Sequence, residues 1–271
     1  MPDASLGGAI PIGTWELALA TVFVLVAAGL SLRMGLRLER DLAIATVRTY
    51  VQLIALGFVL KWVFVNQTWP IVLALLGVMV VAAARVVLKR AGNAPPGVFG
   101  SSVVAMALTG FTVTFAVTAL IIRVPVWYEA RYVLPIAGMV IGNSMTGIAL
   151  AVERLFADLD ARSGEMLGLA ALGAGVWECA RPSLRTALTA GLVPTINSMA
   201  AAGVVFIPGM MTGQVLAGAD PIDAARYQIV VMLMIAAATA IGAIASVMLM
   251  YRRRFSAEGV YLEKGYREPV A

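Results

Sequence analysis

Apolar residues fill the chain in blocks of about 18 to 25 positions, broken by short charged clusters, and each block is long enough to cross roughly 30 Å of hydrocarbon as a helix. Seven such helices are expected, at about 15–32, 42–60 (with a possible extension to 66), 69–88, 98–122, 132–150, 187–207 and 227–250. No soluble domain of independent size fits between them. The pattern therefore predicts an all-α integral membrane protein of about seven transmembrane helices. Residues 1–255 make one polytopic domain and 256–271 a charged, loosely ordered tail.

Only one connection, 151–186, is long enough to hold structure of its own. Its first part places Val152, Leu155, Phe156 and Leu159 on one helix face, with Glu153, Arg154, Asp158 and Asp160 around the rest of the wheel. Its second part repeats the stripe with Met166, Leu169, Ala170, Gly173 and Trp177, and Pro182 is expected to break the helix ahead of the sixth span. Amphipathic helices of this kind either insert into a groove on another protein or lie on the lipid surface, and spacing leaves both open.

Composition supports the membrane reading: 61% of the residues are hydrophobic, and the mean hydropathy is +0.91. The net charge of +5 matters less than its placement. Arg33, Arg37 and Arg40, then Arg85, Lys89 and Arg90, then Arg154, Arg162, Arg181 and Arg185, then Arg252 to Arg254 all fall on one side of the expected spans. Lys61, Arg123, Arg131 and Arg226 fall on the other. Cytoplasmic loops carry the excess of Lys and Arg, so the N-terminus is expected outside, the C-terminus and 151–186 in the cytoplasm, and the chain in the cell (inner or plasma) membrane. The basic excess thus follows from topology, and no nucleic-acid partner is expected. The first fourteen residues contain no Lys or Arg, so the first helix is expected to be retained rather than cleaved.

The chemistry available to the chain is narrow. It has no His and a single cysteine, Cys179, so neither a disulfide framework nor a Cys/His zinc site can form within it. No Ser/His pair, paired acids or metal-ligand constellation suggests an enzyme. The phosphate-binding loop pattern is also absent, and the Gly-rich stretch from Gly92 to Ser102 has no Lys to reach a phosphate. A pump built on this chain would need a separate chain to bind ATP-Mg, with no cofactor of its own.

Polar groups inside the spans are the remaining signal. The tripeptide Asn-Ser-Met occurs at Asn143, Ser144 and Met145 in the fifth span and at Asn197, Ser198 and Met199 in the sixth, each with a proline upstream, Pro135 and Pro194. With Thr146 and Thr195 they could line a substrate path; alternatively they hold helices together, with Gly138, Gly142, Gly147 and Gly191 allowing close approach. Arg48 and Gln52 share a face of the second span, where Arg48 could snorkel to the interface or meet an anionic substrate. Between Pro208-Gly209 and Asp220-Pro221, Met210, Met211, Thr212 and Gln214 could form a short helix over the external mouth, or an ordinary loop. No metal site can be assigned, since the spans lack acids and thioethers suit Cu(I) better than iron.

Three long blocks resemble one known family: "RTYVQLIALGFVL" (Arg48 to Leu60), "GMVIGNSMTGIALAVERL" (Gly138 to Leu155) and the stretch from Pro194 to Met232. They are similar to the FetB family of membrane subunits of iron-export ABC transporters, whose plant relatives are linked to aluminium tolerance. The resemblance covers nearly the whole chain. It implies a permease working as a homodimer with a cytoplasmic ABC ATPase. Glu165 and the run Ala171, Leu172, Gly173, Ala174 resemble the segment that docks such permeases on their ATPase. Iron, as ion or chelate, is the cargo the resemblance implies; a nucleotide sugar or an ion-coupled secondary transporter are the alternatives.

Overall fold

The computed structural model describes residues 12–92, 95–256 and 259–262. Among them run α1 (Thr14–Met34), α2 (Glu39–Val65), α3 (Trp69–Arg90), α4 (Val98–Ala116, prolonged by a π-helical turn Val117–Ile122), α5 (Ala130–Ala161), α6 (Ser163–Ala171), α7 (Val176–Ala201), α8 (Gly209–Leu216) and α9 (Pro221–Met250, closed by a 3-10 turn Tyr251–Arg254). Only two isolated bridges, and no strand, accompany them among the described residues. Six stretches are long and apolar enough to cross a membrane: Thr14–Met34, Glu39–Val65, Trp69–Arg90, Val98–Ile122, Ala130–Ala161 and Pro221–Arg254. The chain is a multi-pass, all-α membrane protein.

The sixth expected span, 187–207, takes a different form. Its residues belong to α7, which ends at Ala201 rather than at Pro208. The chain then reverses: the Val205 N–H donates to the Ala201 carbonyl (2.8 Å), the Gly203 N–H donates to the Phe206 carbonyl (2.9 Å), and Gly203 takes the left-handed φ of 80° that favours glycine. From residue 187 to 201 α7 is only about 22 Å long, short of the hydrocarbon thickness. Its earlier turns carry Glu178, Arg181 and Arg185.

Prolines also behave differently from expectation. α7 runs unbroken through Pro182 and Pro194, as α5 does through Pro135. A proline removes one helical hydrogen bond. Around Pro182 this loss is outweighed by burial of Cys179, Ala180, Ser183, Leu184 and Ala187 on the same helix.

By contact the chain divides into two units. The first holds the described residues up to Gln67 and Gly213–Asp220. Here α1 and α2 form a hairpin joined at Thr21 and Tyr50, whose hydroxyls lie 2.8 Å apart and both reach the Leu17 carbonyl. Almost none of this hairpin is buried: 0% of the apolar window of α2, against 56% of that of α5. Such a surface suits a lipid solvent, in which apolar side chains need no protein cover.

The second unit, Thr68–Thr212 with the residues from Pro221 on, is built around α5, which packs against α3, α4, α7 and α9. The stripe Val152, Leu155, Phe156 and Leu159 is fully or nearly fully buried. It does not belong to a separate helix: the fifth span continues straight through it to Ala161. Closest approach is between α5 and α7, where a β-carbon on Gly191 would stand 2.7 Å from the Gly147 carbonyl oxygen and 2.8 Å from the Ala151 Cβ. Five of the buried hydroxyls in this core find partners on their own helix, one turn back: Ser102, Thr109, Thr118, Ser144 and Thr239 each donate to the carbonyl four residues earlier. That keeps them satisfied in an apolar interior without an interhelical partner.

The tail begins in order rather than as loose chain. Phe255 bridges Tyr261, and the Leu262 N–H donates to the Arg254 carbonyl (2.8 Å). Arg254 is 5% exposed; its Nη2 donates to Asp160 Oδ2 (3.3 Å), and the Tyr261 hydroxyl donates to Asp160 Oδ1 (2.5 Å). The guanidinium also lies 5.7 Å above the Phe156 ring. The expected loose tail is thus corrected over 259–262, while 257–258 and 263–271 lie outside the described residues.

Candidate functional site

The face that α5 turns away from the core carries Asn143 and Thr146, four and one residues before Gly147. Because α5 and α7 touch at Gly147 and Gly191, the next exposed turn of α7 brings Pro194, Thr195 and Ser198 opposite them. Met232 and Ile235 of α9 close the floor of a cavity of about 200 Å³. Asn143 uses its Nδ2 to donate to the Met139 carbonyl (2.8 Å). Four neutral polar side chains, Asn143, Thr146, Thr195 and Ser198, therefore converge on one opening. They can exchange hydrogen bonds with a hydrated or chelated ligand, but they hold no charge for it.

The other polar candidates from the two repeated tripeptides go elsewhere. Ser144 is fully buried and donates to the Val140 carbonyl (2.6 Å). Met145 is half-buried, and Asn197 is exposed; neither lines this cavity. Met199 lines a second cavity of about 340 Å³, with Ala202, Gly203, Pro208, Met211, Ala225, Gln228, Ile229, Met232 and Leu233. Met232 is common to both walls. In the first unit, Arg48 and Gln52 sit on an exposed face of α2 along an open groove with Ala43, Ile44, Val47 and Val51.

The stretch expected over the external mouth is indeed helical, as α8: Met210 packs on the core cluster of Val113, Val140 and Met234, Met211 lines the second cavity, and the Thr212 hydroxyl donates to the Pro208 carbonyl (3.2 Å). Gln214 follows on the same helix, where its Ala219 neighbour's N–H donates to the Gln214 carbonyl (3.0 Å).

Between α5 and α7 the chain makes a compact elbow. The Arg162 guanidinium donates through Nε and Nη2 to both oxygens of Glu165 (2.9 and 2.5 Å), reaches Ser183 Oγ of α7 (3.4 Å), and lies 3.9 Å from Asp158. This guanidinium holds the Glu165 carboxyl below the usual carboxylate range, and the same hydrogen bonds raise Arg162. Beyond the end of α6 at Ala171, Gly173 is left-handed at φ 88°, and its N–H and that of Ala174 close back on the Ala170 and Leu169 carbonyls. The cap turns Ala171, Leu172 and Gly173 outward, and Leu172 is 87% exposed. Glu178 Oε2 accepts from the Gly175 N–H (2.9 Å) and starts α7. Cys179 is buried, and burial pushes its thiol up, so it stays protonated and is a poor ligand.

Sequence reasoning missed Arg162, Asp158 and Ser183 as the joint of this elbow. The i, i+4 and i, i+3 spacing of Asp158, Arg162 and Glu165 was a usable signal. It also missed Met232, Ile235 and Gln228, for which only Gln228, polar in an apolar span, stood out. No group of three or more His, Cys, Asp or Glu that could hold a metal exists among the described residues.

Residues 14–255 match the family model described as Uncharacterised protein family (UPF0014). The chain is 36% identical over 241 residues to UPF0014 membrane protein YjkA of Bacillus subtilis, covering 89% of this chain and 95% of that protein. It is 34% identical over 243 residues to Protein ALUMINUM SENSITIVE 3 of Arabidopsis thaliana (88% and 86% covered). It is also 32% identical over 241 residues to the probable iron export permease protein FetB of Escherichia coli (89% and 92% covered). No solved structure matches the chain.

Proposed function

The chain belongs to the UPF0014 family of membrane proteins, and from that premise we propose that it is the membrane-spanning permease of an ATP-driven transporter, energised by a separate cytoplasmic ATPase and exporting iron as an ion or chelate. The cargo follows the name of the Escherichia coli relative. The observation that carries the reading is mechanical: α5 and α7, the helices joined by the α6 elbow, are the two that bear Asn143, Thr146, Thr195 and Ser198. A displacement of the elbow passes along about 22 Å of α5 and about 28 Å of α7 to the cavity wall without crossing a flexible joint.

The exposed Leu172 turn is the docking element, with Glu165 fixed by Arg162 beside it. The orientation expected from the charge clusters has this turn in the cytoplasm. Two copies face each other across the polar cavities. In one copy alone Asn143, Thr146 and Ser198 are exposed, and polar groups left in hydrocarbon cost free energy unless paired. A second copy encloses them as a shared hydrated path.

Copurification of the tagged chain from native membranes, followed by ATPase assay of the eluate with ferrous iron and ferric chelates, tests the reading. A stoichiometric P-loop ATPase stimulated by one of them is expected; recovery of the chain without an ATPase rejects it. Leu172→Asp is expected to lower ATPase recovery about tenfold, worth roughly 1.4 kcal/mol, with the melting temperature unchanged because the residue is 87% exposed. Unaltered recovery would remove the elbow from the docking role.

The cavity makes its own prediction. Asn143→Ala is expected to lower export several-fold at unchanged protein level, whereas Asn197→Ala, whose residue is outside the cavity, leaves export within twofold of wild type. Equal losses in both, measured in metal-loaded vesicles, would mean that the cavity is not the path.

A further inference from the structure

The second cavity differs in chemistry from the polar one beside it. Three methionines from three helices line it, Met199 of α7, Met211 in the first turn of α8 and Met232 of α9. One turn before Met232, Gln228 is 8% exposed, lines the same cavity, and its Oε1 is buried with no hydrogen-bond partner. A buried acceptor left without a donor is costly, and where it persists a water or an ion commonly satisfies it. The left-handed Gly203 and Pro208 frame the remaining wall.

We propose that this cavity binds a soft monovalent cation of the Cu(I) or Ag(I) class, through the sulfurs of Met199, Met211 and Met232 with the Gln228 carboxamide oxygen as a weaker fourth donor. Thioethers are soft ligands that select such ions, and a carboxamide is a known weak axial partner to them. Three rotatable bonds let each sulfur move onto a common centre within a cavity of about 340 Å³. Charge makes the selection sharper. Desolvation cost rises with the square of the charge, so a wholly neutral donor set in an apolar span can strip water from a monovalent ion far more readily than from a divalent one. No acid, His or thiolate cluster competes for the ion among the described residues. Met232 also lines the polar cavity, so the two cavities share part of a wall. As a station on a transport route the inference rests on the permease reading; as a binding site it does not.

The test is titration of the full-length chain, purified in detergent without thiols, with Ag(I) against a chromophoric chelator, and Cu(I) X-ray absorption to count sulfur neighbours. One Ag(I) per chain is expected. The triple variant Met199→Leu, Met211→Leu and Met232→Leu, which keeps volume and therefore fold, is expected to weaken it by at least about 100-fold, and Gln228→Leu by about tenfold. A control pair in exposed positions, Met34→Leu and Met248→Leu, leaves it unchanged. The copper spectrum should give three sulfur neighbours, and Fe(II) should fail to displace Ag(I) at 100-fold excess. Binding that is absent, that survives the triple variant, or that Fe(II) displaces readily overturns the proposal, as does a cavity that instead retains an acyl chain. A chain that brings down its ATPase but binds no Ag(I) rejects the ion site alone. One that binds Ag(I) but has no ATPase rejects the permease reading alone.

Discussion

Gly191→Leu is expected to leave no folded protein in detergent extracts. At this position α5 and α7 meet backbone to backbone: even a single β-carbon on Gly191 would lie 2.7 Å from the Gly147 carbonyl oxygen and 2.8 Å from the Ala151 Cβ. Neither obstacle is the end of a flexible side chain, so the helices themselves must separate. Gly191→Ala should cost roughly 1–3 kcal/mol, the usual range for overpacking, and Leu more than about 3. That is a large part of the roughly 5–15 kcal/mol that holds a folded domain together.

Gly147→Ala meets the same carbonyl pair from the other side, at 2.7 Å from the Gly191 oxygen, and also presses on Thr239. Once one alanine has pushed the helices apart the second costs less, so the double variant should be less destabilised than the sum of the singles. Gly142→Ala is the contrast, with nothing within 4 Å of the added carbon. Thermal melting followed by size-exclusion chromatography reads all five; a Gly191→Leu chain with wild-type melting would show that the crossing does not hold the unit together.

The second large effect is at Asp160. Its two carboxylate oxygens receive the buried Arg254 guanidinium and the Tyr261 hydroxyl, and so tie the chain after α9 to the end of α5. Asp160→Ala removes the carboxylate that accepts from both of these groups. Breaking such a pair from one side costs about 3–5 kcal/mol when fully buried. The Asp160 side chain is 31% exposed, so water screens part of this and about 2–3 kcal/mol is expected. Arg254→Met should be milder, near 1 kcal/mol, because it replaces the guanidinium with apolar volume over Phe156 and leaves a carboxylate that water can reach. Limited proteolysis should then cut the Asp160→Ala chain at Val260–Leu262 faster than the wild type; equal rates would mean that Asp160 does not hold this stretch to the end of α5.

The type and most of the span positions were legible because transfer into lipid depends on length and composition, which are local properties of a sequence. Six of the seven expected helices meet that criterion. The apolar stripe Val152, Leu155, Phe156 and Leu159 was legible as one helix face, but the sequence placed it against another protein or the lipid surface, whereas it is buried within the chain's own core; for Met210 to Gln214 the sequence left helix and loop open, and the stretch is helical. What the residues could not reveal was where each polar side chain points. Adjacent helical positions differ by about 100° in azimuth, so within one tripeptide Asn143 meets a cavity and Ser144 the core, according to which neighbour stands at that angle. The end of α7 at Ala201, the continuity through Pro182 and the capture of Tyr261 by Asp160 likewise depend on packing partners far away in the chain. Hydrophobicity alone wrote the spans into the sequence; the contact of Gly147 with Gly191, which sets how near and at what angle two helices cross, decided which of their polar residues share a site.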